Sequence, residues 1–574
     1  MQRLLRFART AASISTDQLW FQLLRRVQGV PRPRVIDVAP ASKAFWDGLR
    51  DVMRRSVPPN GWDGDATADE AIEGRWTLLG ETFIVDADMD WSRRAGRPLL
   101  SFHLQYHEPL RALSRRFDRT GDARALASII GVLTRWIETT AAGEGDAWHP
   151  YPISVRVSVW FEVLALVGDN LPEELRQMVE ASLASQLDVL ARRRERQIGA
   201  NHLQRNDAAL ALGGLGFTGS RAVQWRTTGL AGTWGALQHH VLDDGMHFER
   251  SPMYHAGMLG DVLRVIECCE IAGVAVPDTA RVRVGQMAIA LNRMTRSDGS
   301  LHQFNDTAEG IAPPTAWLLE RAARASRTER VQPPQGGWVL PDAGYAGWRD
   351  PATGTGIVFD AGLAGPREQP GHAHCDALSF ELCVEGLPVM VNAGVHGYDH
   401  DPFREYSRST RSHNTVQIGS REQHEIWATF RVARFGVVEG PVIDTTDSWS
   451  VSGRVSGYAG GTHSRRLEMP SAHSIRITDR IGGDGDEVAS ARMLFHPSCD
   501  VRMEGDLVVA RRGALVLRAA FESAGRVRLV RGEVAAAEGW YFPTFGSAQP
   551  ATCVVVEVPL PSPPLVTTIE WGTP

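Results

Sequence analysis

The spacing of apolar residues changes once along this chain, and that change limits the fold more than any motif does. In the first part they recur at helical intervals: Leu126, Ile129, Ile130, Leu133 and Ile137, then Leu175, Met178, Val179, Leu183, Leu187 and Leu190. Met258, Val262, Leu263, Ile266 and Cys269 repeat the pattern. Residues three and four apart share a helix face, so each run predicts an amphipathic helix. Breaks such as Ala142-Gly143-Glu144-Gly145 and Gly168-Asp169-Asn170-Leu171-Pro172 separate them, as expected of antiparallel helix pairs on short loops. The texture turns at Val331-Gln332-Pro333-Pro334-Gln335-Gly336-Gly337, a Pro/Gly-rich stretch of the kind that joins domains. Beyond it come short β-type runs at Gly356 to Phe359, Leu378 to Val384, Asn414 to Ile418, Ser474 to Ile477, Leu507 to Ala510 and Cys553 to Val558. Turn residues divide them, which predicts an antiparallel sandwich. A helical domain over residues 1–335 followed by a β domain over 336–574 is the expected order.

At 574 residues the chain exceeds what a single core supports. A net charge of −6 provides no basic field for nucleic acid. Positive charge is almost all arginine, with Lys43 the sole lysine, a bias spread along the chain as a GC-rich bacterial genome would produce. The six cysteines are scattered and suggest neither a metal spacing nor a disulfide framework. Arginines interrupt the apolar residues of Met1-Gln-Arg-Leu-Leu-Arg-Phe-Ala-Arg, so no signal peptide is expected. That reading places the protein in the cytoplasm, with the periplasm or cell envelope as the alternative. No segment is expected to be long and apolar enough to span a bilayer.

Four clusters carry potential chemistry. Asn201-His202-Leu203-Gln204-Arg205-Asn206 opens an apolar run, and a helix there would put Asn201 and Arg205 on one face as donors for an anionic ligand. An N-cap asparagine beside a surface arginine is the plainer alternative. The second cluster, Asp243 to His255, is dense in polar groups and contains His247, Glu249 and, after Ser251-Pro252, Tyr254. The third is Gly371-His372-Ala373-His374-Cys375-Asp376-Ala377-Leu378-Ser379-Phe380, with its sequel Val391-Asn392-Ala393-Gly394. Read as a strand, it projects His372, His374 and Asp376 from one side, suited to a metal, a proton shuttle or simple hydrogen bonding. The fourth, Tyr406 to Val416, holds Arg408 and His413.

Together these clusters resemble the heparinase II/III-like polysaccharide lyases. The resemblance covers most of the chain, including Leu100 to His107 and Trp148 to Arg156. Its best motifs are the Asn-His pair, Glu-Arg-Ser-Pro-x-Tyr-His, His-Ala-His-x-Asp-Ala-Leu-Ser-Phe and Arg-Ser-Thr-x-x-His-Asn-Thr. It implies an incomplete (α/α) toroid followed by an antiparallel β-sandwich, and cleavage of a uronic-acid-containing polysaccharide by β-elimination.

By that resemblance Asn201 and His202 stabilise the substrate carboxylate as charge develops on it, and Tyr254 and His372 supply acid and base. Arg205, Glu249 and Arg408 are the expected substrate-binding residues. His374 and His413 match two ligands of a zinc site, with Asn392 in the place of an aspartate ligand; asparagine offers zinc only a neutral oxygen. A hydrogen-bonded His-Asn-His cluster is the alternative to a structural zinc. The expected partner is an anionic polysaccharide or oligosaccharide. A uronyl C5-epimerase on the same scaffold and a non-catalytic glycan-binding protein of a polysaccharide biosynthesis cluster are the rival readings.

Overall fold

The computed structural model describes residues 2–27, 31–58, 64–86, 88–91, 97–446, 448–483, 485, 487–535 and 537–572. Helices dominate from Gln2–Ser13 to Thr315–Ser326, and strands from Gly336–Leu340 onward. The helical half is an incomplete (α/α) toroid; the antiparallel pair Arg75–Leu78 and Glu81–Ile84 is a small β insertion in it. Pro150–Val167, Glu173–Arg192 and Ala200–Gly216 pack as successive neighbours, and Ala200–Gly216 also packs on Ser220–His239 and Pro252–Ile271.

Local chemistry sets these elements. Ser251 caps Pro252–Ile271 by accepting the Tyr254 N–H at 3.3 Å, and Pro252 supplies the preformed first turn. Gly214 and Gly229 let Ala200–Gly216 and Ser220–His239 approach so closely that a methyl on either would strike the facing backbone. One expectation is corrected here. The segment Pro150–Asn170, at mean hydropathy 1.3, is long and apolar enough to cross a membrane. It is 89 % buried inside the protein, so its apolar surface is already covered by neighbouring helices.

The β half stacks two layers. One is an eight-stranded antiparallel sheet ordered Val437–Asp444, Ser450–Ser456, Thr462–Ser471, Ser474–Gly482, Leu565–Gly572, Leu515–Glu522, Leu507–Arg512 and Asp500–Glu504. The other joins a five-stranded meander over 336–390 to a four-stranded sheet through the Met390–Phe495 bridge. Side chains from both layers, including Phe380, Leu382, Val554, Leu467, Ile475 and Leu517, form one buried core. Thr462–Ser471 shows the alternating inward pattern of a half-buried strand.

The His-x-His segment departs from its expected strand. Pro370–His372 is a single 3-10 turn, and the strand begins only at Phe380. In between, backbone N–H groups bond to Asn305 Oδ1 (from His374, 3.0 Å), Gln423 Oε1 (from Ala377, 3.0 Å) and Asp360 O (from Leu378, 2.7 Å). These partners replace a strand ladder, and Leu378, at φ 60°, turns the chain into the sheet. Alternation of faces therefore does not govern where His372 and His374 point.

Candidate active site between the domains

A cavity of about 740 Å³ lies where the toroid meets the loops of the β half. Asn201, His202, Arg205, Tyr254 and His372 all line it, from segments that are far apart in sequence.

The toroid wall is built from first helical turns. Gly199 and Ala200, at φ 74° and 46°, turn the chain into Ala200–Gly216 and present Asn201 at once. A non-glycine residue in that left-handed region is strained, and it stands directly beside the site. The Asn201 amide nitrogen lies 3.1 Å from each Glu249 oxygen and 3.2 Å from His372 Nε2. Glu249 is buried behind Asn201 rather than on the cavity surface, and burial pushes its carboxyl up. It therefore orients Asn201; the expected contact with substrate is not what the geometry shows. His202 bonds through Nδ1 to Glu195 Oε1 at 3.1 Å. Burial opposes ionisation of Glu195, yet His202 and Asn206 bring its carboxyl down to about 2. Arg205 reaches into the cavity but is paired with Asp261 at 3.1 Å. Of the aromatics suited to sugar stacking, Trp91 and Trp148 belong to the core, whereas Tyr106 and Tyr151 line the cavity.

The β wall depends on one carboxylate, Asp306, which the sequence reading did not single out. Its Oδ2 takes His372 Nδ1 at 2.8 Å and its Oδ1 takes His374 Nε2 at 2.8 Å. Arg404 closes the group, with Nη2 3.0 Å from Oδ2 and Nη1 bonded to Oδ1. Although burial works against it, Arg404 and the two histidines hold the Asp306 carboxyl well below the usual range. An ionised carboxylate only accepts, so His372 carries its proton on Nδ1 and turns a bare Nε2 toward Asn201. The only sequence signal for Asp306 was its position in Asn305-Asp306-Thr307 after the Asp298-Gly299 turn, which is too common a pattern to single out.

Tyr254 lies against His372 with ring centroids 3.9 Å apart, and its hydroxyl is 2.8 Å from that of Tyr398. Burial pushes both phenols well above their ordinary range, so both remain protonated at neutral pH. Tyr398, also missed in the sequence, stacks under the Arg404 guanidinium at 4.9 Å.

Arg408 is placed elsewhere. It is buried away from the cavity lining and donates to the carbonyls of Ala373, Ala428 and Thr429 at 2.9–3.0 Å. Five fixed donors suit it to tie the His372 loop to a neighbouring turn, and leave it no route to substrate.

Behind His372, His374, Asp376 and His413 each offer one ligand atom, all within 4.8 Å of one another. His374 Nδ1 and His413 Nε2 are buried with no hydrogen-bond partner. Burial lowers His374 to about 4 and His413 well below its usual value, which keeps both imidazoles neutral, as metal ligation requires. Asn392 Oδ1 is 3.3 Å from His413 Nδ1 and so holds the ring with Nε2 turned the other way. Asp376 supplies the carboxylate. The donor set of two free imidazole nitrogens and a carboxylate fits a metal ion.

Comparison with known proteins agrees with this architecture. The family model "Heparinase II/III N-terminus" matches residues 64–313, and "Heparinase II/III-like, C-terminal" matches 332–571. The heparin-sulfate lyase of Pedobacter heparinus is 23 % identical over 341 residues, 54 % of this chain and 50 % of that one. The heparin-sulfate lyase of Bacteroides thetaiotaomicron is 24 % identical over 395 residues, 61 % and 56 % of the two chains. The chain thus spans about half the length of the curated relatives it matches. Among solved structures, a heparinase III superposes with TM-score 0.70 at 16 % identity, covering 95 % of this chain and 87 % of that one. A heparan sulfate lyase HepC mutant from Pedobacter heparinus gives 0.62 at 18 %, covering 92 % and 88 %. With both halves matched in order and the fold shared across nearly its whole length, the chain belongs to the heparinase II/III-like family.

Proposed function

We propose that this protein is a polysaccharide lyase that cleaves a uronic-acid-containing polysaccharide by β-elimination. The observation that carries this reading is the state of His372. Its Nε2 lone pair faces the Asn201 amide, while a protonated Tyr254 stacks on its ring. Base, carboxylate donor and acid therefore surround one point in the cavity.

In the reaction this supports, the Asn201 N–H that meets His372 Nε2 turns to the substrate carboxylate and frees that lone pair, with His202 beside it, held through Nδ1 by Glu195. Charge then accumulates on the substrate carboxylate as the C5 proton leaves, and fixed donors are most effective in stabilising such developing charge. His372 Nε2 takes the C5 proton. The electron pair forms the C4–C5 double bond and expels the glycosidic oxygen at C4, which Tyr254 protonates. Solvent then returns a proton to Tyr254 and takes one from His372. Because Asp261 neutralises Arg205, directed donors rather than net charge recognise the carboxylate.

Zinc is the proposed occupant of the His374, Asp376 and His413 group, where it would fix the loop that carries His372. Burial pushes the Asp376 carboxyl up to about 6, so metal binding should weaken as pH falls below that value. Stoichiometric zinc in protein purified without added metal, together with a lower melting temperature in chelator, is the expected result.

Tyr254→Phe tests the reaction. Elimination on a panel of polyuronates, followed by absorbance of the unsaturated product, should fall by roughly 10²–10⁴-fold with the fold intact. Wild-type rates in that variant would sink the assignment of Tyr254. A C5-epimerase would instead exchange the C5 proton with solvent and generate no absorbance.

A further inference from the structure

The cavity has a third wall, from helices other than those that carry Asn201 and Tyr254. Helices Gln2–Ser13 and Thr16–Val27 border it, and Thr10, Ile14, Gln18 and Gln22 line it together with Asn201, Tyr254 and His372. Thr10 lies on the first helix, Ile14 in the link, and Gln18 and Gln22, four apart, on one face of the second.

This face is the wrong one for packing alone. An amphipathic helix held only by burial turns its apolar stripe inward. Here Leu4, Leu5, Ala8, Ala11 and Ala12 on the first helix are exposed, as are Leu19, Trp20 and Leu23 on the second. Thr10, Gln18 and Gln22 face the cavity instead, with Ile14 between them.

Both ends of the pair are anchored. On the β side, Arg6 and Arg9 bond to Glu425 at 3.1 and 3.3 Å, and the Phe7 ring lies 5.3 Å from that of Trp427. Trp427 Nε1 also donates to Thr10 Oγ1 at 3.1 Å. On the toroid side, Gln18 Nε2 donates to the Ile198 carbonyl at 3.1 Å, three residues before Asn201, and Arg196 stacks on Phe21 at 5.1 Å. The pair thus joins the two domains across the cleft between them.

Resting on the lyase reading, we propose that these helices form a strap that closes one end of the cleft, so that the site accepts the end of a polyuronate chain and excludes its interior. A polymer bound through its middle must leave the site in both directions, and the strap occupies one of them.

The test compares the full chain with Arg6→Glu/Arg9→Glu, which sets two carboxylates against Glu425. Trp427→Ala, which removes the seat of Phe7, takes its place should that double variant fail to fold. Faster amide exchange over residues 2–27 reports release of the strap. The probe is sodium polyuronate, intact or sonicated to shorter chains, presented at equal mass. Binding to the wild type should rise in proportion to the number of chain ends, whereas binding to the released variant should follow mass. In turnover, solution viscosity per double bond formed should fall faster for the variant. Mass-dependent binding by the wild type, or identical viscosity curves, would overturn the strap and leave the lyase reading standing. No binding and no elimination by either form would overturn the lyase reading, and chain-end selection with it.

Discussion

The two walls of the cavity hold their reactive groups by different means. On the toroid side, Asn201 and Tyr254 stand in the first turns of Ala200–Gly216 and Pro252–Ile271, so local backbone geometry presents them, with Glu249 and Tyr398 as single distant partners. On the β side, His372 sits in an irregular loop and is aimed by Asp306 and Arg404, which are 66 and 98 positions from their partners in sequence. A helix terminus positions a side chain through near neighbours. A loop needs a buried polar group from elsewhere, and that group must be satisfied in full. The β wall should therefore couple catalysis to stability strongly, and the toroid wall should couple them less.

Asp306→Asn is the severest test of that contrast. It should lower elimination by roughly 10⁴-fold, the scale expected when a histidine loses the carboxylate that sets its tautomer. It should also cost about 3–5 kcal/mol of stability, because Arg404 is left buried without its counter-ion. Denaturant unfolding alongside turnover checks both, and an unchanged midpoint would break the comparison. Asn201→Ala should remove about 10²–10³ of the rate as a lost carboxylate donor. Its stability cost should be smaller, about 1–3 kcal/mol, from the Glu249 carboxyl left without its amide partner. Arg408→Ala sharpens the β side. It should destabilise by about 1–3 kcal/mol through unpaired carbonyls, and lower kcat more than KM, because the His372 loop shifts without losing a substrate contact.

The effect most restricted in range lies in the pH dependence. Glu195 has a folded pKa of about 2, below its unfolded value of about 4.3. Its contribution is complete above the unfolded value and is lost as pH falls through the folded one. Glu195→Gln should therefore flatten the acid limb of stability between those two values, seen in melts at successive pH. An unchanged acid limb would show that Glu195 adds nothing to the toroid wall.

Much of this was legible in the sequence where periodicity speaks. The helical runs at 126–137, 175–190 and 258–269 lie within the observed helices Ala123–Thr139, Glu173–Arg192 and Pro252–Ile271. The runs at 553–558 and 507–510 lie within the strands Thr552–Pro559 and Leu507–Arg512. The His-x-His segment misled because a two-residue alternation is also what a buried loop can show when its N–H groups find distant acceptors. Asp306 was invisible for the same reason: a single aspartate gains its role only from the three cationic or imidazole partners that the fold brings to it. Arg408 looked available to substrate because sequence does not reveal which carbonyls surround a guanidinium.

By itself, the sequence determined the order of the domains, the helix starts that present Asn201 and Tyr254, and the residue types needed for proton transfer. Those follow from interactions within a few residues, which spacing encodes directly. Tertiary contacts alone bring Asp306 to both histidines, set Asp376 beside His374 and His413, and lay the N-terminal helices along the cavity. Each of these depends on contacts across tens to hundreds of residues, where charge, burial and orientation are set by what the fold brings alongside.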